Sequence, residues 1–184
     1  MKLRAVADFL MRLFEDRRGV SAVEFALIAP VIIGFYFGLG ELCQGYMAQK
    51  RLAHTASSVA NLMAQTTNVV PTDVDDVMGI GSLIMKPFPT TSLSIRVSSV
   101  TRDSKGVARI DWSRASGPGL VAYKRLDVVT VPTQMIANEA SLVMAETTYD
   151  YESPVKYLLP KLTTLSNTFY ELPRKVPQVT CPTC

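Results

Sequence analysis

The chain begins with apolar and charged positions intermixed, turns almost wholly apolar, and then settles into helical and later alternating periods. Over residues 1–19, Leu3, Val6, Phe9, Leu10, Leu13 and Phe14 recur at roughly helical spacing among charges. That pattern predicts a short amphipathic helix on a membrane surface. From Val20 to Gly40 the only charged residue is Glu24. At 1.5 Å per residue this run is about 31 Å long, enough to cross a hydrocarbon core of about 30 Å. No Gly or Pro lies between Met47 and Gln65, and Leu52, Ala56, Val59 and Met63 recur at helical spacing with Ala53 and Ala60 beside them. The expectation is one helix from about Val20 to Gln65. Residues 20–48 would form its membrane stalk, and the remainder the spine of a domain over 49–184.

Pro71 and Thr72 restart the chain. Thr72 followed by Asp75 resembles a capping box, and Val74, Val77, Met78, Gly81, Ile84 and Met85 supply the apolar face of a second helix. Beyond Pro89 the period becomes alternating. Residues 92–103 and 106–114 read as strands around a polar Asp103-Ser104-Lys105-Gly106 turn. Residues 126–132 and 140–151 read as two more strands, and 168–174 as a short last one. Residues 153–162, bracketed by Pro154 and Pro160, suggest a brief helix or turn. The fold class is α+β: a long N-terminal transmembrane and amphipathic helix carrying a small antiparallel sheet.

Composition narrows the function. Of the 184 residues 48% are apolar, which argues against a disordered chain, and the net charge is +3. Removing residues 1–19, with five Lys/Arg and three Asp/Glu, leaves 14 basic against 13 acidic residues. No basic field remains to support nucleic-acid binding. The basic excess sits ahead of the apolar run, at Arg12, Arg17 and Arg18, and predicts a cytoplasmic N-terminus, although Lys50 and Arg51 follow on the far side. No A-x-A-like site closes the run, so ordinary signal-peptide removal is disfavoured. Cys181 and Cys184 form C-P-T-C, compatible with a disulfide in an oxidising compartment. With Cys43 and His54 far away in sequence, the residues offer no zinc set, and no cofactor is expected.

Other residues that invite a functional reading have simpler ones. Asp73, Asp75 and Asp76 lack the spacing of a calcium loop and suit a helix N-terminus. His54 stands alone on a helix, and Trp112 reads as core. Cys43 reads as a buried free thiol, and Glu41 as a residue at the lipid–water boundary. Nucleophile-elbow, P-loop and zinc-protease motifs are absent from the sequence, and Gly79 and Gly81 are not followed by a third glycine at the needed offset. The expectation is a protein that is not an enzyme.

An ionised side chain inside an apolar span usually marks function. Here Glu24 follows Gly19, then Val-Ser-Ala-Val, and precedes Phe25 and an apolar helix. This arrangement resembles the class III signal of type IV pilins and pseudopilins. Within that class, Glu24-Phe25-Ala26, then Pro30, then Glu41 is similar to TadE-like pseudopilins of the Tad (type IVc, Flp) pilus system. The resemblance runs over residues 17–65, with a fainter echo in the tyrosine-rich 141–155 segment. It implies cleavage by a prepilin peptidase between Gly19 and Val20, after a leader spanning 1–19. It also implies that Glu24 and Phe25 set assembly register, with Glu24 opposing the new α-amino group of a neighbouring subunit, and that Pro30 loosens the helix during extraction from the bilayer.

The implied partners are the peptidase, the major Flp-type pilin and other minor pilins, the inner-membrane assembly platform, and membrane lipid. The expected location is the cytoplasmic membrane, single-pass, with the domain extracytoplasmic and able to enter the pilus. The length suits a minor pilin-like subunit. The reading from another class is a signal-anchored periplasmic interaction domain that is never processed.

Overall fold

In the computed structural model, residues 19–154 and 163–184 are described. The amphipathic reading of residues 1–18 and the helix or turn expected over most of 153–162 lie outside them. Helix α1 runs unbroken over Val20–Ala64, 45 residues or about 68 Å at the helical rise, with Pro30 inside it. Its apolar spacing does what the sequence predicts. Leu52, Ala56, Val59, Ala60 and Met63 are fully covered. The part before Gly38 is bare, and Phe25, Val31, Phe35 and Tyr36 are among its exposed side chains.

Helix α2 spans Pro71–Ile84. It starts earlier than a Thr72 cap would place it. Pro71 takes the first helical position, and the Asp73 carboxylate accepts the Val70 N–H at 3.1 Å. Asp75 turns instead to Arg114, which donates to it at 3.0 and 2.6 Å. At Gly81 a Cβ would run into Ile95 and Thr55, so the missing side chain is what lets α2 lie close to both α1 and the sheet.

Strands β1 (Ser94–Arg102), β2 (Ala108–Ser116), β3 (Ser141–Tyr151) and β4 (Thr163–Glu171) form one antiparallel sheet in the order β2-β1-β3-β4. The β1–β2 turn follows its sequence: Gly106 has a φ of 84°, and Asp103 accepts the N–H groups of Lys105 and Val107 at 2.9 and 2.8 Å. Opposite Ser99 and Val100, β2 carries one extra residue, Asp111, so Ile110 and Trp112 face opposite sides of the sheet. Trp112 joins Val97, Val143, Ala145 and Tyr149 beneath the helices. Ile110 joins Val100, Leu142 and Met144 on the other face.

That second face is covered by an irregular strap, residues 117–140, which contributes Val131 and Ile136. The strand expected over 126–132 is part of this strap and is not a strand. It makes an isolated bridge, Val128 opposite Arg109, and then leaves the edge. Leu126 has a positive φ of 70°, which breaks the extended conformation, and Pro132 has no N–H to continue a ladder. The last strand also differs from expectation. It begins at Thr163 and stops before Pro173, because its first half, Thr-Thr-Leu-Ser-Asn, is an edge with only one apolar side chain to announce it.

Candidate processing and assembly segment

Gly19 is the helix-flanking residue of α1, with φ −88° and ψ −11°, values open to any amino acid. A Cβ built on it meets no atom within 4 Å. Among the described residues, nothing in the fold requires glycine there, so the sequence signal that singled it out is not a packing signal. Val20 and Glu24 stand one turn apart on the same helix face. Glu24 is exposed, as is Phe25 at 71%. No hydrogen bond or ion pair joins Glu24 to another described residue. Pro30 is exposed and the helix continues through it.

The most apolar stretch of α1 is left unburied by the rest of the described chain. This is an apolar rod projecting from a packed domain, long enough to cross a membrane.

The second carboxylate of the rod behaves differently. Glu41 is 1% exposed, not at a lipid–water boundary as its sequence position suggests. The base of the domain closes over it near Tyr151, whose phenol is pushed up first by burial and further by the charge of Glu41, while a hydrogen bond with Ser153 pulls it down. Cys43 lies two residues on and is exposed, contrary to the expectation of a buried thiol. The helix turns Glu41 toward the domain and Cys43 away from it.

The other candidates resolve into structural roles. Trp112 is core, and its indole donates to the Val179 carbonyl at 2.8 Å. His54 is exposed on α1. Cys181 and Cys184 are joined by a disulfide, with Cα atoms 5.4 Å apart.

Sequence reading missed one polar constellation. The Arg96 guanidinium donates to both carboxylate oxygens of Glu146 at 2.7 and 2.8 Å, to the Tyr123 hydroxyl at 2.7 Å and to the Val121 carbonyl at 2.8 Å. It also stacks on the Tyr123 ring, 3.7 Å from its centroid. Burial pushes the Tyr123 phenol up, and the Glu146 charge adds to this. The cluster fastens the strap to the sheet. Glu146, directly after the apolar run Leu142–Ala145 of β3, was its one sequence signal.

Residues 19–61 match the model of a family described as TadE-like protein. Over those residues the chain is similar to that family. The match begins at Gly19, takes in Val20, Glu24, Phe25, Pro30 and Glu41, and ends within the part of α1 that the sheet covers. No curated protein and no solved structure matches the chain.

Proposed function

We propose that this chain is a minor, pilin-like structural subunit of a Tad-type pilus, matured by a prepilin peptidase that cuts between Gly19 and Val20. The observation that carries the reading is the pairing of an unexplained glycine with a lone exposed carboxylate at the start of a bare apolar helix. A Cβ at residue 19 would meet no atom of the described residues, so the glycine is best accounted for by a protease that binds an extended substrate. Glu24 is expensive in lipid and has a use only if something positive meets it there. Cleavage supplies that group, the α-amino group of Val20. In a bundle of parallel stalks, the Glu24 carboxylate of one subunit neutralises the amine of another, and a wrongly seated subunit leaves a buried charge unpaired.

On this reading α1 lies in the cytoplasmic membrane with its N-terminus inside and the domain outside. The chain works through major and minor pilin subunits and the assembly platform rather than through catalysis. Sequencing the N-terminus of the protein isolated from membranes that contain the peptidase tests it. Val20 as the first residue supports the proposal; Met1 as the first residue leaves a signal-anchored domain and overturns it.

A further inference from the structure

The bare side of α1 and its covered side overlap in height. On the bare side the apolar surface does not stop at Gly40, because Leu42, Tyr46 and Met47 are 50%, 63% and 49% exposed. The first basic residue after Val20 is Lys50, whose ammonium lies over the Tyr46 ring, 5.3 Å from its centroid. A tyrosine and a lysine one turn apart suit a lipid–water boundary. On the covered side the domain reaches further down. It closes over Glu41, and Gln44 forms one wall of a cavity of about 650 Å³ at its base. From Glu41 to Met47 the helix rises about 9 Å, close to the roughly 5–7 Å of headgroup layer on each side of a bilayer. Over that height one side of α1 offers apolar surface and the other is packed in protein.

The base itself suits a medium poor in water. The chain leaves α2 through Lys86-Pro87-Phe88-Pro89, with both prolines exposed. Neither proline has an N–H, and the Phe88 N–H is bonded to the Met85 carbonyl at 2.9 Å. Residues 87–89 therefore present no unbonded amide N–H, a group that is costly wherever water is scarce. The Phe88 and Tyr151 rings meet edge to face with centroids 6.1 Å apart, and both residues border the cavity. Thr91, Ser92 and Glu152 add polar groups to its lining. Aromatic rings with polar groups beside them favour headgroup depth. The far end of β1, about 26 Å from Ser94 by strand rise, leads instead to the polar Asp103-Ser104-Lys105-Gly106 turn.

We propose that the domain is seated in the headgroup layer of the membrane that α1 crosses, with the cavity beside Gln44, Phe88 and Tyr151 open to phospholipid headgroups. The inference rests on the membrane placement of α1 given above, and not on cleavage at Gly19 or on assembly. Seated in this way, the base holds Glu41 away from lipid at a depth where a bare carboxylate is costly. The contact breaks whenever the stalk leaves the bilayer.

Depth measurements on the full chain test it. In a Cys43→Ser background, Val31→Cys, Pro89→Cys, Thr91→Cys and Lys105→Cys chains, all altered at exposed positions, each carry one environment-sensitive fluorophore. Labelling without reduction leaves the 181–184 disulfide untouched. The chains are placed in phosphatidylcholine vesicles with a nitroxide either on the headgroup or midway along an acyl chain. Labels at 89 and 91 should lose most of their emission to the headgroup nitroxide and little to the acyl-chain one. The label at 31 should show the reverse, and the label at 105 should respond to neither. Quenching at 89 and 91 no stronger than at 105 would overturn the seat. So would stronger quenching there by the acyl-chain nitroxide, which would place the base below the headgroups. Protection of both sites from aqueous iodide without nitroxide quenching would assign the base to a protein partner and likewise overturn it. Absence of acyl-chain quenching at 31 would remove the membrane placement of α1, and the seat with it. N-terminal sequencing of the same chain from membranes reports on cleavage separately, so failure of the seat and failure of processing are read apart.

Discussion

The indole Nε1 of Trp112 donates to the carbonyl of Val179 at 2.8 Å, across 67 residues of sequence. This bond ties β2 to a segment that wraps the end of the domain farthest from the bare half of α1. The wrap continues on either side. Arg174 donates its N–H to the Ala64 carbonyl at 2.9 Å, Val69 donates its N–H to the Thr180 carbonyl at 2.9 Å, and Thr180 donates its own to the Thr67 carbonyl at 3.3 Å. Val179 is fully buried against Trp112 and the end of α1. The segment is a wall of the core.

Shortening Val179 to alanine should therefore destabilise the full chain by about 2 kcal/mol, since it removes two methyl groups from a filled site. Trp112→Phe should cost about 1–3 kcal/mol, because the Val179 carbonyl is left buried without a donor. Thermal or urea unfolding in detergent measures both. A change within error in either variant would mean that the wrap is a surface tail.

The disulfide adds little to this wall. Cys181 and Cys184 are three residues apart, and so short a loop restricts the unfolded chain by about 2 kcal/mol at most. Replacing both with serine should lower stability by no more than that and leave the Trp112–Val179 contact intact. Intact mass after thiol blocking without reduction should show the 181–184 peptide short by two hydrogens. Two blocked thiols there would show that the bridge does not form in the native compartment.

Much of this architecture was legible in the sequence, for physical reasons that also mark where legibility ends. The 4-3-4 spacing of Leu52, Ala56, Val59 and Met63 identifies the covered face of α1, because helix periodicity survives whatever packs against it. The bare stalk is legible from hydropathy. The bulge at Asp111 is not. It switches Ile110 and Trp112 to opposite faces, so a strictly alternating reading of β2 assigns one of them wrongly. Nor is the burial of Glu41 legible, since it depends on how far the domain reaches down α1. The Arg96–Glu146 pair spans 50 residues and comes together only when β1 and β3 align. Leu126 and Val128 looked like strand residues because they are apolar, yet the segment makes only an isolated bridge to β2, and Leu126 leaves the extended conformation with a φ of 70°.

Arg96 offers a direct check on what holds the strap. Lysine keeps the charge but lacks the planar fork that serves Glu146, Tyr123 and the Val121 carbonyl together. Arg96→Lys should lower stability by about 1–3 kcal/mol. It should also make the 117–140 strap the preferred site of limited proteolysis. If cleavage instead begins elsewhere at the wild-type rate, the strap is held by Val131 and Ile136 alone.

Acid should open the β1–β2 turn before it unfolds the domain. The N–H of Val107 is the largest influence holding the Asp103 carboxyl below the usual range, with Lys105 and Arg109 helping against a smaller opposing effect of burial. A carboxylate with a depressed folded-state value contributes stability that is fully present above its unfolded value. That contribution is lost as pH falls through the folded value. Amide exchange at Lys105 and Val107 should accordingly accelerate only below the ordinary aspartate range, and Asp103→Asn should show the faster exchange already at neutral pH. A transition near pH 6 would point to another group.

The remaining prediction concerns Glu24. It is exposed, has no partner among the described residues, and sits one turn from the residue that becomes the N-terminus if Gly19 is the cleavage site. Its carboxylate plays no part in folding the domain, so Glu24→Ala should leave thermal stability and the Val20 N-terminus unchanged. The variant should nevertheless be strongly depleted from sheared pili relative to membranes, because an amine in an apolar bundle loses its counter-charge. Glu24→Asp keeps the charge but shortens the reach, and should restore incorporation only in part. The ratio of pilus-borne to membrane-borne protein, measured for all three chains beside their N-terminal sequences, separates the steps. Normal incorporation of a correctly cleaved Glu24→Ala chain would exclude charge pairing as the basis of assembly, whereas loss of cleavage in that chain would make Glu24 a recognition residue for the peptidase.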